Sequence, residues 1–222
     1  MEKNIINLFQ LLIIGTTLIC CEKDKNKGLP VDGDGNVYAT VVIGTQVWLK
    51  ENLKTTKFHT GASLNLVTDP IKWSLVSGPA YCYYNNNEEL KDTYGLLYNW
   101  QAARLATLCP VGWRNPTKDE WNEMIEFLGG VNIAANKLKE MGLAHWNSDN
   151  SGATNESGFT ALPGGSRGWN GDFYGLERTG GWWTASNSYD NRGWDITISS
   201  VNISFSAFPV EAGKAVRCIK YQ

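Results

Sequence analysis

Five cysteines, two histidines and one Gly-x-Ser-x-Gly pentapeptide are the groups in this chain whose types could carry chemistry. Gly164-Gly165-Ser166-Arg167-Gly168 has the spacing of a nucleophile elbow, which lifts a serine Oγ on a strand-to-helix turn beside an oxyanion hole. Trp169-Asn170-Gly171-Asp172 follows, which is turn material, and only His59 and His145 could serve as base. Neither stands in a recognisable catalytic setting, so no catalytic residue is expected. His-x-x-x-His, Cys-x-x-Cys and clustered histidines are absent from the sequence, which removes the common zinc patterns. Asp32-Gly33-Asp34-Gly35-Asn36 opens like a calcium loop, but Val37 and Ile43 stand where an EF-hand needs Gly and a bidentate Glu. A turn is expected there.

The cysteines depend on compartment. Lys3 leads an apolar run from Ile5 to Ile19, short of the ~20 residues that span a bilayer. It ends in Cys20-Cys21, followed at once by Glu22-Lys23-Asp24-Lys25-Asn26-Lys27. This resembles a bacterial lipoprotein signal over residues 1–21, in which Cys21 becomes the acylated first residue; Cys20 would place bulky Ile19 at the cleavage site. Residues 22–35 read as a tether and 36–222 as the domain. Several acyl chains at ~0.8 kcal/mol per buried CH₂ would anchor it to a membrane. Export permits disulfides, and of Cys82, Cys109 and Cys218 one must stay free. A Cys109–Cys218 bridge would staple the last strand to the helical layer, whereas Cys82, among Tyr81, Tyr83 and Tyr84, reads as a small buried thiol.

At 222 residues and 42% hydrophobic content, one domain can bury a full core. A net charge of −2 gives no electrostatic case for nucleic acid. Ten tryptophans can build the core or line a shallow site where flat rings stack on sugars or peptides.

The elements that must position these groups follow from pattern. Val37 to Leu49 reads as a hairpin around Gly44-Thr45, with Val37, Ala39, Val41 and Ile43 on one face. Residues 58–80 show no firm periodicity. Tyr81–Tyr84 reads as a strand ended by Asn85-Asn86-Asn87, and Leu96–Leu108 as a helix. Thr117 and Glu120 write a capping box for a second helix with Trp121, Ile125 and Leu128 inward, stopped by Gly129-Gly130. A third runs near Ile133–Met141, with Ala134, Leu138 and Met141 inward. A polar loop follows, and then short strands near 159–162, 181–186, 194–198, 201–206 and 215–219. Trp182-Trp183 reads as one core and one surface ring. Helices in the first half and antiparallel strands at both ends give an α+β domain whose terminal strands could meet in one sheet.

The segments Asp34–Tyr38, Ile43–Trp48, Glu51–Thr55, Tyr94–Trp100, Cys109–Trp121, Gly152–Phe159, Leu162–Gly165, Gly181–Trp183 and Val216–Cys218 resemble, in order, the Fibrobacter succinogenes major paralogous domain. The resemblance implies a C-type-lectin-like fold, short helices on small antiparallel sheets with long irregular loops, distantly similar to formylglycine-generating, sulfatase-modifying domains. It also implies that Cys109 and Cys218 are the bridged pair. Many proteins of this kind are lipoproteins and surface proteins of gut-type bacteria, which implies an outer-membrane location.

In lectin-like folds the long loops after the helices carry the ligand surface, here about 145–195. That stretch holds side-chain oxygens suited to sugar hydroxyls or calcium, and aromatic faces suited to a pyranose. Trp146, Asn155, Arg167, Trp169 and Asp172 are the candidate ligand-facing residues. The Glu-Pro-Asn or Gln-Pro-Asp triplet of calcium-dependent sugar lectins is missing, and Trp194-Asp195 is a fragment of the companion motif. The expectation is therefore a non-catalytic binder of extracellular glycan or protein, needing no cofactor unless calcium joins the loop. The alternative is a divergent formylglycine-generating oxidoreductase; relatives of that kind use two cysteines close together near the C-terminus, and Cys218 is alone there.

Overall fold

The computed structural model describes residues 28–147, 149–200 and 202–221. The signal segment, Cys20 and Cys21 lie outside the described residues. The end of the expected tether does not hang free of the domain. Asp32 accepts hydrogen bonds from Asp34 N and Asn36 N at 2.9 and 3.0 Å and from the buried Tyr38 hydroxyl at 2.6 Å. The Asp-Gly repeat is thus a turn that packs on Tyr38, and folded structure begins before residue 36.

β1 (Thr40–Ile43) and β2 (Gln46–Leu49) form the expected hairpin, with Ile43 opposite Gln46 across Gly44-Thr45. Its supposed inner face is buried only at Ile43; Val37 and Ala39 are exposed. β3 (Asn65–Leu66) and α1 (Pro70–Ser74) organise the stretch without periodicity, where Asp69 caps the helix by accepting from Lys72 N and Pro70 sits at its start. β4 (Ala80–Cys82), α2 (Lys91–Tyr94) and β5 (Leu97–Tyr98) follow.

The long helix expected over Leu96–Leu108 is corrected. Leu97 and Tyr98 pair with β4, and only α3 (Trp100–Ala103) is α-helical, with a 3-10 turn at Ala106–Leu108. Asn99 decides this: its Oδ1 caps the late helix at Ala102 N and also accepts from Ala80 N.

β6 (Trp113–Arg114) leads into α4 (Lys118–Phe127), whose capping box closes both ways between Thr117 and Glu120. α5 (Val131–Leu138) ends before Met141, which is exposed rather than inward. β7 (Gly164–Arg167) and β8 (Phe173–Leu176) then form a hairpin, where only loop was expected. β9 (Thr179–Asn187), β10 (Arg192–Ser199), β11 (Ile203–Pro209) and β12 (Ile219–Lys220) complete the chain. The segments expected as strands near 159–162 and 215–219 are mostly irregular, touching their neighbours through the bridges Lys139–Ala161 and Trp182–Ala215.

Among the described residues there are three sheets, ordered β1-β2-β12-β6, β11-β10-β9-β7-β8 and β3-β4-β5. The terminal strands do meet: Ile219 pairs with Trp48 on one side and Arg114 on the other. The architecture is α+β. Trp182 and Trp183 are both fully buried, which corrects the expected surface ring. Alternate side chains leave a strand on opposite faces, and β9 has a core on each. Trp182 joins Trp48, Trp121 and Phe159, while Trp183 joins Tyr98, Trp100, Cys109 and Cys218. Cys109 and Cys218 are disulfide-bonded across 109 residues, and Cys82 is a free, buried thiol.

Candidate functional site

The β7–β8 hairpin forms because Gly168 to Asp172 can reverse the chain. Gly168 N donates to Asp172 O at 2.8 Å and Gly171 N to Gly168 O at 3.0 Å. Gly171 has φ +90°, and a Cβ there would meet Pro70 Cα at 2.6 Å, so the turn rests directly on α1.

Arg167 ties this turn to the loop before α1. It is 1% exposed, donating from Nε to Gly171 O (2.9 Å), from Nη1 to Val67 O (2.6 Å) and from Nη2 to Thr68 O (2.8 Å). Its guanidinium lies 4.5 Å from the Trp73 ring centre and 4.8 Å from that of Phe173. Backbone carbonyls and two aromatic faces, with no carboxylate in the pair, hold this charge.

Beside it opens a cleft of about 470 Å³, lined by Ser166, Trp169, Asn170, Tyr174, Phe208 and Lys214, with Arg167, Gly168 and Ala212. Trp169 and Tyr174 are 58% and 50% exposed. Asn170 Nδ2 donates to Asp172 Oδ2 (2.7 Å) and to the Tyr174 hydroxyl (3.0 Å), so the rim carries a preset polar row beside two open rings. Lys214 brings its ammonium from the C-terminal segment. It is paired with the fully buried Asp195 at 2.9 Å and lies 4.1 Å from the Phe208 ring centre. Such a site can stack an apolar ring face and exchange hydrogen bonds with hydroxyls.

Of the five residues expected to face a ligand, Arg167, Trp169 and Asp172 come together on this hairpin, with Arg167 buried beneath it. Trp146 does not join them. Its ring is fully buried, donating to Ala161 O at 3.3 Å beneath the Lys139 ammonium. Asn155 is a turn residue with φ +49°, its side chain clasping Thr160 through Oδ1 to N (2.9 Å) and Nδ2 to Oγ1 (3.0 Å). Lys214, Phe208, Ser166 and Asn170 were missed as site residues. Lys214 had a signal, because it is the one cation inside the otherwise apolar run Ala212–Val216.

The Fibrobacter succinogenes major domain model matches residues 41–220. The chain belongs to that family. No curated protein and no solved structure matches it significantly. The stretch matched in this Fibrobacter succinogenes major domain contains the disulfide, the hairpin and Lys214.

Ser166 of this domain lies in β7, and a turn and an antiparallel strand follow it, so the strand-to-helix setting of a nucleophile elbow is not present. His59 Nδ1 is bonded to Cys109 O at 3.0 Å and His145 Nδ1 to Glu140 at 2.9 Å. Burial pushes the Cys82 thiol up to about 12, although Arg167 pulls the other way. A second depression, of about 520 Å³, is lined by Met141, Leu143 and Asn150; it has no aromatic wall.

Proposed function

We propose that this member of the family is an exported, lipid-anchored protein of the bacterial envelope, acylated at Cys21 and held at the outer membrane. Its domain is C-type-lectin-like and binds carbohydrate, without catalysis, in the cleft between the β7–β8 hairpin and Lys214. One observation carries the reading: Trp169 and Tyr174 stand open at the mouth of a cleft whose rim already orients Asn170 and Asp172. Indole and phenol faces take the C–H face of a pyranose, and amide and carboxylate groups take its hydroxyls.

What supports a binder over the oxidoreductase alternative is the state of the sulfurs. A disulfide holds Cys109 and Cys218, and the Cys82 thiol is buried with its ionisation suppressed, so among the described residues no thiolate is offered to a substrate. The cleft needs no cofactor in this reading, and calcium enters as an arm of the test. A glycan array probed with and without calcium, against Trp169→Ala, is expected to show binding that the substitution abolishes. Binding that survives Trp169→Ala would move the site elsewhere, and oxidation of a cysteine-containing peptide would restore the enzyme.

A further inference from the structure

We infer that the saccharide taken by this cleft carries a carboxylate, an inference that rests on the carbohydrate reading above. Both charged residues in the lining, Arg167 and Lys214, are cations. The Arg167 side chain spends its hydrogen bonds on the carbonyls of Gly171, Val67 and Thr68, so its charge has no carboxylate to neutralise it. Lys214 does have a partner, but Asp195 is fully buried and outside the lining. Lys214 Nζ carries three N–H donors, and its polar contact among the described residues is the ion pair with Asp195 Oδ2 at 2.9 Å. Donor capacity therefore remains for a group lying in the cleft.

A carboxylate beside the rim, Asp172, accepts at Oδ2 from Asn170 Nδ2 at 2.7 Å and from the Tyr174 hydroxyl at 3.4 Å. It marks the side on which sugar hydroxyls dock, with the ligand's own carboxylate directed inward to Lys214. Low-dielectric walls of Trp169, Tyr174 and Phe208 concentrate the field of Arg167, while Lys214, its charge balanced by Asp195, offers directed N–H donors. The open ring faces favour a pyranose over an acidic peptide, whose side chains present little flat C–H surface.

The test is calorimetric titration of the full-length protein with matched pairs: oligogalacturonate and its methyl ester, and sialyllactose and lactose. Each acid is expected to bind at least about tenfold more tightly than its neutral match, with the gap shrinking as salt rises. Lys214→Gln alone would strand the buried Asp195 charge, so it is combined with Asp195→Asn, which leaves an amide pair. This double variant is expected to erase the preference for the acid while Trp169→Ala loses acid and neutral ligands alike. If the double variant fails to fold, the salt series on the unaltered protein decides. Equal affinity for acid and neutral match, or a salt-independent gap, would overturn the inference and leave the carbohydrate reading standing. No binding of any saccharide, or binding of a glutamate-rich peptide instead, would overturn both.

Discussion

Two buried arginines do the same mechanical work in two very different settings. Arg217, under the terminal sheet, donates to Asn52 Oδ1, Lys50 O and Phe159 O and lies 4.3 Å from the Phe159 ring centre. Arg167, under the β7–β8 hairpin, likewise holds three carbonyls between two aromatic rings. Around Arg217 the large rings Trp48, Trp121, Trp182 and Phe159 are covered completely. Around Arg167 the rings of Trp169 and Tyr174 are left open. A guanidinium that bonds carbonyls can therefore brace either a core or a cleft, and the uncovered rings beside Arg167 are what the proposed binding site rests on.

Removing the bridge should strain this contrast most. Replacing both Cys109 and Cys218 by Ala frees a loop of 109 residues and is expected to cost about 4–5 kcal/mol in the chain-entropy treatment, read by urea denaturation. A loss below about 1 kcal/mol would mean that the terminal sheet closes without it. Trp121→Ala, in the covered cluster 4.8 Å from the Trp48 ring centre, should cost about 3–5 kcal/mol. Arg167→Met takes the guanidinium donor from the carbonyls of Gly171 and Val67, while Thr68 O keeps Asn86 Nδ2, and should cost about 1–3 kcal/mol for each buried group left unsatisfied, with loss of ligand binding.

A smaller effect comes from acid. Burial alone would raise the Glu120 carboxyl, but hydrogen bonds from Arg114 and Thr117 outweigh it and hold the group below its ordinary value. Its stabilising contribution is therefore present above the unfolded carboxylate pKa of about 4.3 and lost as pH falls through the lower folded value. The start of α4 should weaken over that acid window, and Glu120→Gln should flatten the dependence in pH-resolved melts. Smallest of all, Trp169→Ala should leave stability within about 0.5 kcal/mol, in sharp contrast to Trp121→Ala.

Local chemistry was legible. The Thr117–Glu120 box, the Gly44-Thr45 turn and the Gly129-Gly130 stop are each written within a few residues, and each stands where expected. The meeting of the terminal strands could be read from strand patterns at both chain ends. Failures came where distant partners decide. Asn99 shortens a helix by serving β4 as well as α3, and Trp183 is covered because β9 has a second core behind it. β7 and β8 were hidden by Gly-rich composition. Trp146 and Trp169 sit in equally polar sequence, yet only packing against Ala161 and Lys139 separates the buried ring from the open one. Lys214 reaches the cleft from the far end of the chain, so a lone cation in an apolar run could be noticed in the sequence but not placed.

The most direct test is tryptophan modification by N-bromosuccinimide on the folded protein, mapped by mass spectrometry with and without a bound acidic oligosaccharide. Trp169 should be modified in the free protein and protected by ligand, while Trp121, Trp146 and Trp182 stay unmodified in both. Modification of Trp169 that is indifferent to bound saccharide would contradict the cleft as the binding site.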